Sequence, residues 1–136
     1  MLTTHRFTLA LCGLLLAACC GAQNKFNNCS AAFLDNKMVV DEYTTTGKCS
    51  LPATATGQLT VCTAELSPEK SRPVDAIRFK VAIRDQNTGT LTMFSNETFK
   101  RVDIQDIMAR CRKGDHIVLI TMADEYALPH NEILVK

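Results

Sequence analysis

The sequence predicts a mainly β (α+β) domain: an antiparallel, β-sandwich-like fold with one amphipathic helix near residues 103–113. Three observations predict it. Apolar and polar residues alternate with period two through 77–84, a single helical pattern covers 104–111, and 116–122 is an apolar run. Because strands and helix do not alternate as repeated βα units, we expect a mostly antiparallel sheet.

The N-terminal half of the domain has an irregular pattern. Residues 37–43 are typical of a strand, 46–48 of a turn, and Pro52 interrupts regular structure soon afterwards. Residues 57–66 combine Thr and Val with alternating polarity, which indicates a second strand. The stretch 67–73 contains two prolines among polar residues and is therefore predicted to be a loop.

The C-terminal half has a clearer pattern. In 77–84 the apolar positions share one face, so one side of this strand is buried and the other is wet. Residues 85–89 form a hairpin loop, and 90–94 is the returning strand. The apolar run 116–122 is expected to be a central strand covered on both faces, and 131–135 closes the sheet.

The helix is predicted from its caps and its apolar stripe. Asp103 is placed as the N-cap, and Asp106 lies in the first turn, where the helix dipole favours a carboxylate. Gly114 is the expected residue just past the end. The stripe at spacing i, i+3, i+4, i+7 consists of Ile104, Ile107, Met108 and Cys111. The basic residues expected to complement the C-terminal end are Arg110, Arg112 and Lys113.

Residues 1–18 have the layout of a lipoprotein signal peptide. Arg6 gives a short cationic start, an apolar run follows, and the stretch Leu16-Ala17-Ala18-Cys19 is typical of a lipobox. The apolar run is shorter than the roughly 20 residues that cross a bilayer, which argues against a permanent span. The alternative is an ordinary secretory signal cleaved near Ala22, which would release a secreted protein.

On the lipoprotein interpretation, the mature chain begins at a lipid-modified Cys19. Residues 19–28 then form a small, polar tether, and 29–136 form a single mainly β domain. That domain has a cysteine-bearing N-terminal part, 29–73, and a sheet-plus-helix part, 74–136. Two or more acyl chains anchor a protein stably, so we expect attachment to the bacterial envelope. The residue after the lipid site is not an aspartate, which favours the periplasmic side of the outer membrane.

The charge of the mature chain bears on its partners. Arg6 leaves with the leader, so 14 of the 15 basic residues remain to balance 14 acidic ones. Phosphate binding needs a concentrated positive surface, and a balanced chain therefore argues against nucleic acid as a partner. Zero net charge also leaves the lipid as the main expected contact with the membrane.

Of the seven cysteines, five remain available for disulfides once Cys12 has left with the leader and Cys19 is acylated. Five is odd, so at least one thiol is unpaired within the chain. Export permits disulfides, and Cys29–Cys49 is the favoured pair, because a crosslink would help most in the irregular N-terminal part. Cys62 is a rival partner there. The remaining two cysteines are Cys20 and Cys111. The chain has no Cys-x-x-Cys motif of a zinc or redox site.

The spacing of reactive residues predicts no catalytic or metal-binding site. Cys111 and His116 lie five residues apart, but Cys111 belongs to the apolar stripe and is interpreted as a buried, inert thiol. Asp41 and Glu42 are strand neighbours and point to opposite faces. A third group shares no metal-ligand spacing: His116, Asp124, Glu125 and His130. We therefore expect no catalytic residues, no metal and no cofactor.

Several short motifs in the C-terminal half have an order that resembles a known family. They are Phe-Lys-Val-Ala-Ile at 79–83, Phe-Ser-Asn at 94–96, a Lys-Gly-Asp turn at 113–115 and Leu-Pro at 128–129. This order is similar to the last periplasmic domain of the GldM family, the shaft proteins of gliding motility and type IX secretion in Bacteroidota. The resemblance covers 74–136 and implies a β-sandwich-like envelope module that binds protein, without catalytic residues. The lipoprotein leader and the cysteine-bearing N-terminal part depart from that family.

Together these expectations describe a cell-envelope lipoprotein that acts as a non-catalytic protein-binding or structural module, with an envelope protein as partner. The loop at 68–73 and the hairpin tip at 85–89 are expected contacts, since exposed loops carry recognition. Two alternatives stay open. One is a small secreted cysteine-dependent enzyme that uses Cys20 or Cys62, and the other is a secreted, disulfide-stapled inhibitor or carrier domain.

Overall fold

The computed structural model describes residues 29–65, 72–122 and 128–136. The predicted signal peptide, the lipidation site at Cys19 and the tether that follows it lie outside the described residues, as does most of the predicted loop at 67–73. Within the described part, no helix combines the length and the apolar character needed to cross a bilayer.

Ten strands and one short helix make up the regular structure of the described residues. In chain order they are β1 (Ser30–Leu34), β2 (Lys37–Met38), β3 (Ser50–Leu51), β4 (Gln58–Glu65), β5 (Arg72–Ala76), β6 (Phe79–Arg84), β7 (Leu91–Met93), β8 (Val102–Asp103), α1 (Ile104–Met108), β9 (His116–Thr121) and β10 (Glu132–Val135). They form two five-stranded sheets. The first has the order β2-β1-β4-β5, with β8 also paired to β4, and the second has the order β3-β10-β9-β6-β7.

The predicted fold class is confirmed. Every strand pair is antiparallel except β3 with β10, which is parallel. One apolar core joins residues of both sheets and of α1, as in a β-sandwich. The fully buried members with the largest side chains are Leu59, Val61, Phe79, Val81, Ile104, Ile107, Ile117, Leu119, Ile133 and Val135.

The other face of the first sheet has a small core of its own. Ala31 and Phe33 of β1 and Cys62 of β4 are buried there. Met38, Tyr43 and Ala64 pack over them. The Tyr43 hydroxyl also donates a hydrogen bond to the Ser30 carbonyl oxygen over 2.8 Å. The first sheet is therefore covered by the chain's own side chains on both faces.

The N-terminal part differs from its predicted elements. The strand expected at 37–43 is limited to β2, after which Val40 makes an isolated bridge with Cys49. Asp41 explains the change, because its Oδ1 accepts hydrogen bonds from the amides of Glu42 and Lys48, which closes a loop instead of a ladder. Strands β1 and β5 were not predicted, and β5 includes the last residues of the predicted loop at 67–73.

The helix is confirmed in position but is shorter than predicted. Asp103 is its N-cap, with Oδ1 accepting from the Gln105 amide over 2.9 Å. The last turn tightens, because the amides of Arg110 and Cys111 each bond a carbonyl three residues back. The prediction that 109–113 continue the helix was wrong, and its C-terminal turn contains no basic residue. Gly114 then takes a φ of +96°, the left-handed conformation expected of it.

Asp115 holds together the segments that meet at the start of β9. Its side chain is only 4% exposed. Oδ1 accepts from the Gln86 amide over 3.1 Å, and Oδ2 accepts from the Arg112 amide over 2.8 Å. Its backbone oxygen accepts from the Val135 amide. One carboxylate therefore links the 85–89 hairpin loop and the segment after the helix to the start of β9.

β9 is the central strand that its apolar sequence predicts, but the expected cover on both faces was wrong, because Ile120 on its second face is 36% exposed. It pairs with β6 on one side and β10 on the other, both antiparallel. Ile117 and Leu119 point into the main core, and Val118 is buried on the opposite face. Residues on the core side of this sheet pack against α1 and the first sheet. β9, at the centre of the second sheet, therefore holds that sheet against the main core.

Replacing Asp115 with Ala should lower the free energy of unfolding by about 3 kcal/mol, because two amides lose a charged, largely buried acceptor. Urea unfolding followed by circular dichroism measures this. Glu97→Ala, which removes an exposed carboxylate from a loop, is the control and should stay within about 0.5 kcal/mol of the wild type. Equal losses in the two variants would show that Asp115 does not organise this region.

Candidate functional site

The second sheet leaves one face uncovered by any described element. Strand alternation places on this outer face Lys80, Ala82, Arg84, Leu91, Met93, His116, Val118, Ile120, Glu132 and Leu134. The exposed fractions are 45% for Leu91, 39% for Met93 and 36% for Ile120, and Met122, just after β9, is 54% exposed. Four of the five large apolar residues exposed in the described chain thus cluster at one sheet. Such a cluster is a candidate contact surface.

An ion pair crosses the outer face near the end of β6 and the start of β9. Arg84 Nη2 lies 2.9 Å from Glu132 Oε1, and the pair joins β6 to β10 across β9. Both side chains are over a third exposed, so the pair adds little to stability. Their aliphatic stems help to explain why Ala82 and Val118, on the same face, are buried. The pair gives the outer face charged groups of both signs.

The outer face ends at β7, the edge strand of the second sheet. The Phe94 amide donates to the Val81 oxygen, and the Asp85 amide donates to the Thr90 oxygen. In an antiparallel ladder the bonded pairs alternate, so Thr92 is also bonded to β6, whereas the amides and carbonyls of Leu91 and Met93 point away from the sheet. β7 therefore presents backbone donors and acceptors at an open edge.

A cavity of about 370 Å³ lies beside this edge. Its apolar and hydroxyl lining comes from the hairpin: Ile83, Thr90, Thr92, Met93 and Phe94. Its charged lining comes from the hairpin loop and the segment after α1: Asp85, Arg110, Arg112 and Asp115. The early end of the helix places the two arginines here, since a longer helix would carry them along its own axis.

Arg110 is fixed over the cavity by two contacts. Its guanidinium carbon lies 4.8 Å from the centre of the Phe94 ring, a cation–π arrangement. Its Nη1 donates to the Phe94 carbonyl oxygen over 2.7 Å. Among the described residues, neither Arg110 nor Arg112 lies within ion-pair distance of a carboxylate. Most guanidinium donors of both residues thus stay available.

Backbone amides engage both carboxylates of the cavity. Asp85 Oδ1 accepts from the amides of Asn87 and Thr88. The Thr88 amide, followed by the Asn87 amide and the charge of Arg112, holds the pKa of Asp85 below its usual value. Asp115 is bonded as described above. The hydrogen-bonding capacity of these carboxylates is therefore used by backbone amides of the loops. The cavity side chains that remain available to contact a ligand are the arginines and threonines.

Three of the four described cysteines have a raised thiol pKa. Burial, and then the charge of Asp41, raises the pKa of Cys49 to about 11. Burial, and then the charge of Asp115, raises the pKa of Cys111 to about 11. Burial also raises the pKa of Cys62. A nucleophilic thiol needs a lowered pKa, which is the opposite shift.

The predicted disulfide stays a prediction. Cys49 is a thiol in the structure and lines a cavity of about 600 Å³ with Asp41 and Lys48. Cys29 precedes β1, where its carbonyl oxygen accepts from the Ala64 amide. This register places Cys29 on the same face of the first sheet as Cys62, so the rival pairing also stays open. Cys111 packs against the main core, as its place in the apolar stripe predicts.

Of the four residues considered as metal ligands, His116 and His130 lie in the described part of the chain. In the described ranges, no three His, Cys, Asp or Glu side chains lie close enough to hold a metal ion. His130 instead meets Tyr43 edge to face, with ring centres 5.7 Å apart. Asp124 and Glu125 lie outside the described residues. The pKa of Asp41 is lowered, first by the Lys48 amide, in keeping with its structural role in the loop.

No protein-family model, curated protein or solved structure matches this chain. The GldM resemblance of 74–136 therefore stays a prediction. Sequence patterns had pointed to loops as contacts, but the described surface places the strongest candidate at β7 and the segment after α1. The only sequence signal for it is the alternation of Leu91 and Met93 with threonines on a strand just after a hairpin loop.

Iodoacetamide at pH 8 should modify Cys49 and Cys111 about 100-fold more slowly in the native protein than in urea, because a pKa of about 11 instead of 9 leaves that much less thiolate. Mass spectrometry of timed, quenched samples measures both rates. Fast native labelling of either thiol would contradict the raised pKa and support the cysteine-enzyme alternative.

The same shift predicts a pH dependence of stability. A thiol with a raised pKa in the folded state stays protonated while the unfolded thiol ionises, so stability should fall as the pH rises from 9 towards 11. A Cys49→Ala/Cys111→Ala variant should show a shallower fall in urea unfolding, and it is the internal control for every other group that titrates in this range.

Proposed function

We propose that this chain is a non-catalytic protein-binding module of the bacterial cell envelope, held at the membrane by a lipid on Cys19. The observation that carries the proposal is the exposed apolar outer face that ends at the open edge of β7. Apolar residues clustered on one sheet face, bordered by ionic groups, are typical of surfaces that bind other proteins.

The contrast between the two sheets supports binding through the second one. The first sheet covers its outer face with Met38 and Tyr43, whereas the second leaves Leu91, Met93 and Ile120 exposed. A chain that folds alone gains stability by covering such residues. Their exposure is accounted for if a partner covers them in the envelope.

The raised thiol pKa of Cys62, like those of Cys49 and Cys111, weighs against the secreted cysteine-enzyme alternative. Cys20, the other thiol considered for that role, lies outside the described residues. The disulfide-stapled carrier alternative is supported by the cysteines at 29, 49 and 62 and by the cavity beside Cys49. A carrier, however, does not account for the exposed sheet face, so the binding module is the better conclusion.

The lipid anchor is supported by the lipobox and by the charge balance of the mature chain. With 14 basic and 14 acidic residues after removal of the leader, electrostatic attraction to anionic lipid is weak, and acyl chains are needed for stable attachment. The resemblance of 74–136 to the GldM end domain adds an envelope assembly as the proposed setting. An envelope protein is accordingly the proposed partner.

The mass of the processed N-terminus should correspond to a chain that begins with a diacylglyceryl-modified Cys19. Intact-mass spectrometry of the protein extracted from membranes measures it. A Cys19→Ser variant should remain as the unprocessed precursor and is the matched control. A mature chain that begins at Gln23 without lipid would overturn the anchor and favour secretion after cleavage near Ala22.

Replacing Ile120 with Glu should reduce the recovery of a crosslinked envelope partner about tenfold, because it places a charge in the exposed apolar surface. Crosslinking in intact cells, affinity purification and quantitative mass spectrometry measure the recovery. Val74→Glu is the matched control, because Val74 is an exposed apolar residue of the first sheet, 59% accessible. Equal recovery with both variants, or no stoichiometric partner with the wild type, would refute binding through the outer face.

A further inference from the structure

We infer that β7 accepts an extended segment of the partner as an added strand, and that this segment alternates apolar with acidic residues. The added strand rests on the proposed protein-binding function and specifies the chemistry of the partner. Leu91 and Met93 each direct an amide and a carbonyl outward from the sheet. Such an edge pairs with an extended peptide through main-chain hydrogen bonds, and neighbouring pockets select alternate side chains.

β7 differs from the other sheet edges in the described residues. Natural edge strands are protected from pairing by charged residues, by proline or by shortness. β2 carries Lys37, β5 carries Pro73 and β8 carries Asp103. β3 is two residues long and is followed by Pro52. The sequence Leu-Thr-Met of β7 has no charge and no proline, so shortness, at three residues, is the one of these protections that this edge has.

The two sides of β7 differ in chemistry, and this difference sets the pattern of the ligand. Leu91 and Met93 lie on the outer face, although Met93 also borders the cavity, and Thr92 on the other face lines the cavity with the two arginines. Successive side chains of an added strand alternate between the same two sides. A residue beside Leu91 and Met93 is therefore expected to be apolar, and its neighbours in sequence point towards Arg110.

The charges of the cavity favour an acidic side chain at that position. Arg110 is held in place by Phe94, and it has guanidinium donors to spare. Asp85 and Asp115 are each engaged by two backbone amides, which offset their charge locally. A carboxylate from the ligand would gain charge-assisted hydrogen bonds to a preorganised arginine.

The acidic class is tested with two fluorescein-labelled peptides, Thr-Thr-Val-Glu-Val-Thr-Thr and its twin with Gln in place of Glu. Fluorescence anisotropy with the processed full chain in detergent should show about tenfold tighter binding of the Glu peptide, as expected for a charged hydrogen-bonded pair. Arg110→Gln should remove this difference, and Arg78→Gln, which changes an exposed arginine just before β6, should leave it intact. Equal affinity of the wild type for both peptides would overturn an acidic ligand.

Strand addition is tested with a pair of variants at one position. Met93→Pro removes an outward amide that β6 does not use, whereas Met93→Ala shortens the side chain and keeps the amide. The proline variant should bind the Glu peptide about tenfold more weakly than the alanine variant, with both unfolding at similar temperatures. Peptide binding should also slow hydrogen exchange at the Leu91 and Met93 amides. Equal affinities of the two variants, or unchanged exchange, would overturn strand addition.

These outcomes separate the ligand from the function. If the Ile120→Glu variant loses a crosslinked partner while neither peptide binds, the protein-binding function stands and the acidic strand is refuted. If the peptides bind as expected while no partner is captured from the envelope, the function is refuted at its own test. A concentration-dependent dimer that Met93→Pro converts to monomer in sedimentation would assign the edge to a second copy of the chain and overturn the peptide.

Discussion

The position of every element around the candidate site depends on the buried carboxylate of Asp115. It takes one amide from the hairpin loop and one from the segment after the helix, and its own backbone is bonded to β10. A buried carboxylate is costly unless its oxygens are satisfied. The two amides meet this requirement, and in doing so they fix where three separate stretches of chain meet at the start of the central strand.

This constraint also shapes the cavity. The Arg112 amide turns towards Asp115 instead of continuing the helix, so the chain leaves the helical path and brings Arg110 over the Phe94 ring. The hairpin loop is held by the same carboxylate and closed by Asp85. The contacts that end the helix are therefore the contacts that build the wall of the cavity, and a longer helix would not form this site.

Local pattern was enough to predict the elements that have a strong period or clear caps. The alternation in 77–84, the apolar run at 116–122 and the Asp103 cap all correspond to observed elements. The sequence of β1, Ser-Ala-Ala-Phe-Leu, has little strand propensity. Its side chains are buried on both faces of the sheet by neighbouring elements, and this burial cannot be recognised from the sequence of the strand itself. The predicted helix was too long because Cys111 fits the apolar stripe, whereas the carboxylate of Asp115, which binds the Arg112 amide, lies beyond the stripe. The direction of the β7 backbone groups depends on the pairing register, so no inspection of residues 90–94 alone shows the open edge.

The two sheets present different surfaces for a physical reason rooted in chain order. The segment between β2 and β3 passes over the outer face of the first sheet and places Tyr43 there, where its hydroxyl finds the Ser30 carbonyl. The second sheet has no such segment among the described residues. The outer face of this sheet also carries the charged residues Lys80, Arg84 and Glu132, but Leu91 and Ile120 remain exposed beside them. The exposed apolar surface of the second sheet is therefore a consequence of connectivity in the described chain, because no described segment crosses this outer face as the segment with Tyr43 crosses that of the first sheet.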